Sequence, residues 1–208
     1  LDIPMYLRQL QEEGIHFTLA PPPLLNRLAQ QPDMWKQFDF SKLRRIGSGS
    51  VPLSPSMIST FENDFGKPII NFYGSNEGIS LVSTPETAAE PEVRAAMFPR
   101  FGVAGMPFEG ITQQTVRSKV IDPDTGDDIA EPGRPGELCF GGATVFDGYL
   151  DHAGEDVFTP DGFFRTGDIA EIDDDDRRRV LGLDRCPHEA VLVFDDRPGN
   201  TTVATAGG

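Results

Sequence analysis

Basic side chains are the first shortage in this 208-residue chain. Lys and Arg total 18 against 33 Asp and Glu, for a formal charge of −15. Nucleic acids and anionic membrane surfaces are gripped by clustered Lys and Arg, so this imbalance argues against both as partners. A small anionic ligand stays open, because a bound cation and aligned backbone dipoles override a global field locally. Cysteine is nearly absent as well. Cys139 and Cys186 stand far apart and form no CxxC pair. With histidine confined to His16, His152 and His188, neither a zinc spacing nor a Ser-His-Asp arrangement can be argued. His16, among apolar neighbours, reads as a core residue. Two isolated thiols fit a reducing, cytoplasmic setting. No apolar run reaches membrane length, and no basic-then-apolar leader opens the chain. Leu1 in place of Met points to a chain cut from something longer.

What is present suits a globular protein: 38% hydrophobic and 25% charged residues. Met5, Leu7 and Leu10 predict a helix over 4–13. Residues 16–20 read as a short buried strand, stopped by Pro21-Pro22-Pro23. Leu24, Leu25 and Leu28 predict a second helix to Gln30. Residues 43–46 read as a strand running into the turn Gly47-Ser48-Gly49-Ser50. Ser54 is a good N-cap with Pro55 at the first helical position. Met57, Ile58, Phe61 and Phe65 then repeat at helical spacing, and Gly66 ends the helix. Residues 68–72 form a further strand. Residues 43–74 therefore read strand, helix, strand, part of a doubly wound α/β sheet layer.

After Thr84 turn signals multiply. Strands are expected at 116–121 and 137–140, with a tight turn at Asp122-Pro123-Asp124-Thr125-Gly126 between them. Residues 169–172 and 179–181 flank the acidic run 173–176 like a hairpin. That half reads as mainly β and barrel-like. The expected division is 1–97 for a partial α/β subdomain, 98–182 for a mainly β subdomain, and 183–208 for a divergent tail whose one strand signal is 190–194.

Four segments could carry chemistry. Gly47 to Leu53 is rich in small residues that let a flat ring or a phosphate approach the backbone, although most Gly/Ser turns are only turns. Asn71-Phe72-Tyr73-Gly74-Ser75-Asn76-Glu77 follows a strand, where α/β proteins bind ligands. An aromatic there can stack on a base and a carboxylate can hold magnesium, although a core Tyr and a solvated Glu are the commoner outcome. Asp161 to Asp168 ends in a carboxylate after a Thr-Gly turn, suited to two vicinal hydroxyls or merely to capping its own turn. The run 173–176 lacks the ligand alternation of a calcium loop and reads as a solvated hairpin tip.

Taken in order, these segments resemble the adenylate-forming, AMP-binding superfamily of acyl-CoA synthetases, luciferases and nonribosomal adenylation domains. Ser48-Gly49-Ser50-Val51-Pro52-Leu53 looks like that family's adenine-facing turn. Tyr73-Gly74-Ser75-Asn76-Glu77 looks like its Tyr-Gly-x-Thr-Glu motif. Gly105-Met106-Pro107, Pro135-Gly136-Glu137-Leu138, Gly141-Gly142, Gly148-Tyr149 and Asp161 to Asp168 follow in the expected order, so the resemblance spans about 15–182. It implies ATP, Mg2+, a carboxylic acid and coenzyme A as acceptor. It implies that Gly49, Ser50 and Val51 face the adenine with Tyr73 packed on it. It assigns Asn76 and Glu77 to catalysis, Asn76 also to the nucleotide, Glu77 to magnesium, Asp168 to the ribose hydroxyls, and Gly74 and Ser75 to the acyl carboxylate.

The departures matter. Asn76 stands where the family has Thr, and its amide can still donate to a phosphate. Leu183 stands where an Arg is expected, and the register is lost from there on. The upstream phosphate loop and the C-terminal lid with its catalytic Lys have no counterpart here. Those parts supply charge stabilisation and exclude water, so the isolated 208 residues are expected to turn over little or nothing; the break near Leu183 looks like a frameshift or a gene-model error, with deliberate truncation as the alternative. The fragment should also leave a strand edge unpaired. A CoA ligase is favoured over a nonribosomal adenylation domain, which usually has Pro-Thr where this chain has Ser75-Asn76. A non-catalytic nucleotide- or partner-binding remnant is the alternative from another class.

Overall fold

The computed structural model of the chain describes residues 2–102, 114–149, 157–173 and 177–180. The chain divides into two compact units, residues 1–99 and 100–208.

The first unit starts with α1 (Ile3–Glu12), capped by the Asp2 carboxylate, which accepts from Met5 N at 3.0 Å. β1 (Phe17–Leu19) follows, then α2 (Pro22–Gln30) and the single turn α3 (Pro32–Trp35). The prolines that stop β1 also open α2: Pro22 and Pro23 occupy its first positions, where a missing N–H costs nothing. β2 (Arg45–Gly49), α4 (Pro55–Asn63) and β3 (Ile69–Ser75) complete the strand-helix-strand pattern expected from sequence. The Ser54 cap of α4 is as anticipated, accepting from Met57 N at 3.4 Å. β4 (Ile79–Ser83), α5 (Pro91–Ala96) and β5 (Met97–Pro99) were not foreseen. The sheet order is β1-β2-β3-β4, parallel except for the antiparallel β3–β4 pair.

Leu7, Leu25, Leu28, Ile46, Met57, Ile58, Phe61 and Ile69 form one hydrophobic core joining the helices to the sheet. Trp35 lies within it, 4.1 Å from Phe40 and 5.2 Å from Phe65 between ring centroids. Gly47 points the other way, where an added Cβ would meet the side chains of Phe72, Leu19 and Phe17. Two expectations fail here. β1 is an edge strand among the described residues, and it is not buried: Phe17 is 47% and Leu19 66% exposed. His16 is exposed rather than a core residue. Apolar character alone marks a strand, but burial depends on whether another layer covers that face.

In the second unit, β6 (Val116–Ile121), β7 (Asp128–Ile129), β8 (Gly136–Gly142), β9 (Phe164–Ile172) and β10 (Arg177–Val180) are ordered β7-β6-β8-β9-β10 and pair antiparallel throughout. The sheet is open among the described residues, so the mainly β character holds while the barrel does not close. β8 is central and buried along both faces, from Gly136 to Gly141. The Asp122 turn forms as expected, with Gly126 N donating to Asp122 O at 2.8 Å and Asp122 Oδ1 accepting from Asp124 N and Thr125 N. The β9–β10 hairpin also forms, with Arg178 opposite Ile172. Gly105-Met106-Pro107, residues 174–176 of the acidic run, the 190–194 strand and the tail 183–208 lie outside the described residues.

Candidate functional site

In the first unit the sheet builds the candidate site from two neighbouring strand ends. β2 and β3 are parallel, with Ser48 opposite Asn71 and Gly49 opposite Phe72. Gly49-Ser50-Val51 and Tyr73 to Glu77 therefore leave the same edge of the sheet, the carboxyl ends of adjacent parallel strands. The fit is tight at Gly49: a Cβ there would overlap the carbonyl oxygen of Phe72. Ser48 is buried and donates to Ala20 O at 2.8 Å, fixing the base of the turn. Ser50 follows with φ +75°, the one non-glycine residue in the left-handed region among those described. That conformation costs a side-chain-bearing residue about 1–2 kcal/mol, and it turns the chain sharply out of β2.

Tyr73, Gly74 and Ser75 continue β3 rather than forming a loop. They pair with Leu81, Ser80 and Ile79 of β4. The connection is Asn76-Glu77-Gly78, closed by Gly78 N donating to Ser75 O at 3.2 Å, with Gly78 at φ +89°. Gly74, Ser75 and Asn76 are exposed, and Tyr73 and Glu77 are half-buried. The Tyr73 ring lies 6.1 Å from that of Phe98. β3 is anchored two residues earlier. The buried Asn71 amide donates to Arg94 O and Ala95 O at 2.9 and 3.1 Å, tying the strand to α5. Arg94 is itself fully buried and donates to Ala88 O at 2.8 Å and to the Glu62 carboxylate of α4 at 2.5 Å. Sequence reasoning missed this bracket, although Glu90-Pro91 carries a helix-start signal.

In the second unit the segment 161–168 is held at its start. Lys119 Nζ reaches Asp161 at 2.8 Å and Asp128 at 3.0 Å and lies 4.8 Å from the Phe163 ring centre. Burial pulls the Lys119 pKa down, but the bonds to Asp161 and Asp128 outweigh it and leave the ammonium raised. The Lys119 hydrogen bond and that of Thr159 hold Asp161 below the usual carboxylate range. At the far end, Thr166 Oγ1 donates to Leu138 O at 2.8 Å and accepts from Asp168 N at 2.9 Å. Asp168 is half-buried. Cys139, on β8, is fully buried, and burial followed by the Glu137 charge pushes its thiol up to about 12, so it is no nucleophile.

Among the described residues no group of three His, Cys, Asp or Glu is placed to hold a metal ion, and no helix is long and apolar enough to cross a membrane. A hollow of about 560 Å³ lies between α1 and β1 against Tyr6, Leu10, Ile15, Phe17 and Leu19. It is an apolar trough beside the exposed edge strand, and none of the motif residues lines it.

A parallel β-α-β layer with two motif segments at adjacent strand ends, followed by an antiparallel sheet, is an arrangement the chain shares with solved structures. The N-terminal domain of FACL13 from Mycobacterium tuberculosis superimposes with a TM-score of 0.70 at 22% identity, over 89% of this chain and 42% of that one. A long-chain-fatty-acid-CoA ligase from Archaeoglobus fulgidus gives 0.68 at 20% identity, over 90% and 37%. The chain belongs to the AMP-binding enzyme family, whose model matches residues 1–150. It is 32% identical over 204 residues to 4-coumarate--CoA ligase 1 of Arabidopsis thaliana, a match covering 90% of this chain and 34% of that protein. It is 28% identical over 177 residues to 4-coumarate--CoA ligase-like 4 of rice, Oryza sativa subsp. japonica, covering 84% and 29%. The chain thus spans about a third of the length of the curated relatives it matches.

Proposed function

We propose that this chain is the part of an ATP-dependent carboxylic acid:CoA ligase that receives the adenine, the ribose and the acyl carboxylate. The observation that carries the reading is that Gly49-Ser50-Val51 and Tyr73 to Glu77 follow adjacent parallel strands, paired up to Gly49 opposite Phe72, inside an AMP-binding chain. In this reading the reaction joins a carboxylate to the α-phosphate of ATP with loss of pyrophosphate, and the thiol of coenzyme A then displaces AMP. Gly49, Ser50 and Val51 face the adenine, where β2 approaches Phe72 closely at Gly49 and the chain reverses at Ser50. Tyr73 packs on the ring. Gly74 and Ser75, exposed on the last residues of β3, receive the acyl carboxylate. Asn76 donates to a phosphate. In the second unit, Asp168 accepts from the two ribose hydroxyls.

Glu77 would hold Mg2+. A single half-buried carboxylate at a hairpin tip fits this ion, which keeps several waters and takes its remaining ligands from substrate phosphates. When bound, the ion neutralises phosphate charge. The chain's own contribution is position: a hairpin whose strand is bolted to α5 through Asn71 keeps Ser75, Asn76 and Glu77 in fixed relation.

The acidic balance and the two cysteines favour a cytoplasmic protein without a nucleic-acid partner. Residues 1–97 and 98–182 then serve as two subdomains of one AMP-binding domain. The test is exchange of labelled pyrophosphate into ATP by the intact gene product, with hydroxycinnamic and fatty acids offered in turn. Acid-dependent exchange is expected with one class. ATP binding without exchange for any acid would instead support a non-catalytic nucleotide-binding remnant.

A further inference from the structure

Thr166-Gly167-Asp168 lies within β9 but outside its ladder. On β8 only Leu138 separates the paired residues Glu137 and Cys139, while on β9 three residues separate their partners Ile169 and Arg165. Two extra residues make this stretch a bulge. Bulges break the ladder and re-aim side chains, and they need other partners for the backbone groups they orphan. Here side chains supply them. Thr166 Oγ1 bridges Leu138 O and Asp168 N. Gly167, at φ +73°, donates its N–H to Glu137 Oε1 at 3.1 Å. The other oxygen of Glu137 accepts from Nε and Nη2 of Arg165 at 2.9 and 2.5 Å. Glu137 is only 6% exposed. A buried carboxylate costs desolvation unless its lone pairs are filled, and both oxygens here are filled by the two sides of one bulge.

We propose that Glu137 is the positioning residue of the ribose-binding turn: by holding Gly167 N–H and Arg165 together it fixes where the Asp168 carboxylate points. The proposal rests on the reading of Asp168 as the ribose ligand. The Pro135-Gly136-Glu137-Leu138 motif marks this Glu in the sequence but not its role, which depends on a register between residues 28 and 30 positions apart.

The test compares binding of ATP and of 2′,3′-dideoxy-ATP, which lacks both ribose hydroxyls, to the full chain. It uses wild type, Asp168→Asn, Glu137→Gln and Glu137→Asp. Wild type should prefer ATP by about tenfold, the size expected when charge-assisted bonds are lost. Asp168→Asn should reduce that preference severalfold. Glu137→Gln keeps an acceptor for Gly167 N–H and removes only the charge facing Arg165, whose side chain is 34% exposed. It should hold most of the preference. Glu137→Asp is one methylene too short to reach both partners and should lose it. Hydrogen exchange at the Gly167 amide should be slow in wild type and in Glu137→Gln, and fast in Glu137→Asp.

A wild type that binds both nucleotides equally overturns the Asp168 reading, and the role of Glu137 with it. A wild type that discriminates, beside a Glu137→Asp variant that discriminates equally, overturns the Glu137 assignment alone. So does fast exchange at Gly167 in the wild-type chain, a result that needs no variant to fold.

Discussion

Replacing Gly49 by alanine should destabilise the first unit by about 3 kcal/mol, from overpacking of about 1–3 kcal/mol plus the weakening of roughly one ladder hydrogen bond. The new methyl would overlap the Phe72 carbonyl oxygen and lie 3.2 Å from the Phe72 Cβ. A flexible side chain could swing aside. The Phe72 carbonyl is backbone in a strand paired to Gly49 itself, so relief requires β2 and β3 to part. The assay is urea unfolding followed by tryptophan fluorescence. Trp35 is the only tryptophan in the chain, is 5% exposed, and sits in the first unit's core, so it reports that unit directly. The denaturation slope should stay constant while the midpoint falls. Gly66→Ala is the control. Gly66 has φ +61° and no atom within 4 Å of an added Cβ, so it should lose only the left-handed penalty, about 1–2 kcal/mol. A Gly49→Ala midpoint within about 0.5 kcal/mol of wild type, the scatter of neutral surface changes, would refute the close approach of β2 to β3.

Arg94→Leu should cost about 3 kcal/mol in the same assay, because it leaves the Glu62 carboxylate and Ala88 O without their buried partner. A loss under about 1 kcal/mol, the size of one ordinary hydrogen bond, would mean the bracket on α5 is dispensable. Cys139 gives a pH prediction. Its folded pKa, about 12, lies above its unfolded value, so its contribution is fully present below the unfolded value and is lost as pH rises towards 12. In a Cys186→Ser background, native Cys139 should resist thiol reagents at pH 8 and react only on unfolding; rapid native labelling would contradict its burial.

Much of the local structure of both units was legible. Ser54-Pro55 and the spacing of Met57, Ile58 and Phe61 define α4 with no tertiary information, and the Asp122 turn announces itself through Asp, Pro and Gly. What failed depended on pairing. Tyr73-Gly74-Ser75 has the composition of a loop, and β4 makes it a strand; Gly78, three residues after Ser75, was the available sign of a short hairpin. Phe17, Leu19 and His16 read as buried because apolar composition does not say which strand forms an edge. The motif residues themselves were found by resemblance. Arg94 went unnoticed, and the bracing roles of Asn71 and Glu137 were not legible, because a buried polar side chain is defined by contacts made 23 to 32 residues away.

The proposed role of Tyr73 to Glu77 is in magnesium-dependent adenylation. The direct measurement is acid-dependent pyrophosphate exchange by the intact gene product, wild type against Glu77→Ala, across a series of Mg2+ concentrations. A loss of about 10²-fold or more is expected, as for removal of a group that stabilises transition-state charge, partly recovered at high Mg2+. Wild-type exchange in Glu77→Ala at every Mg2+ concentration would remove Glu77 from the mechanism.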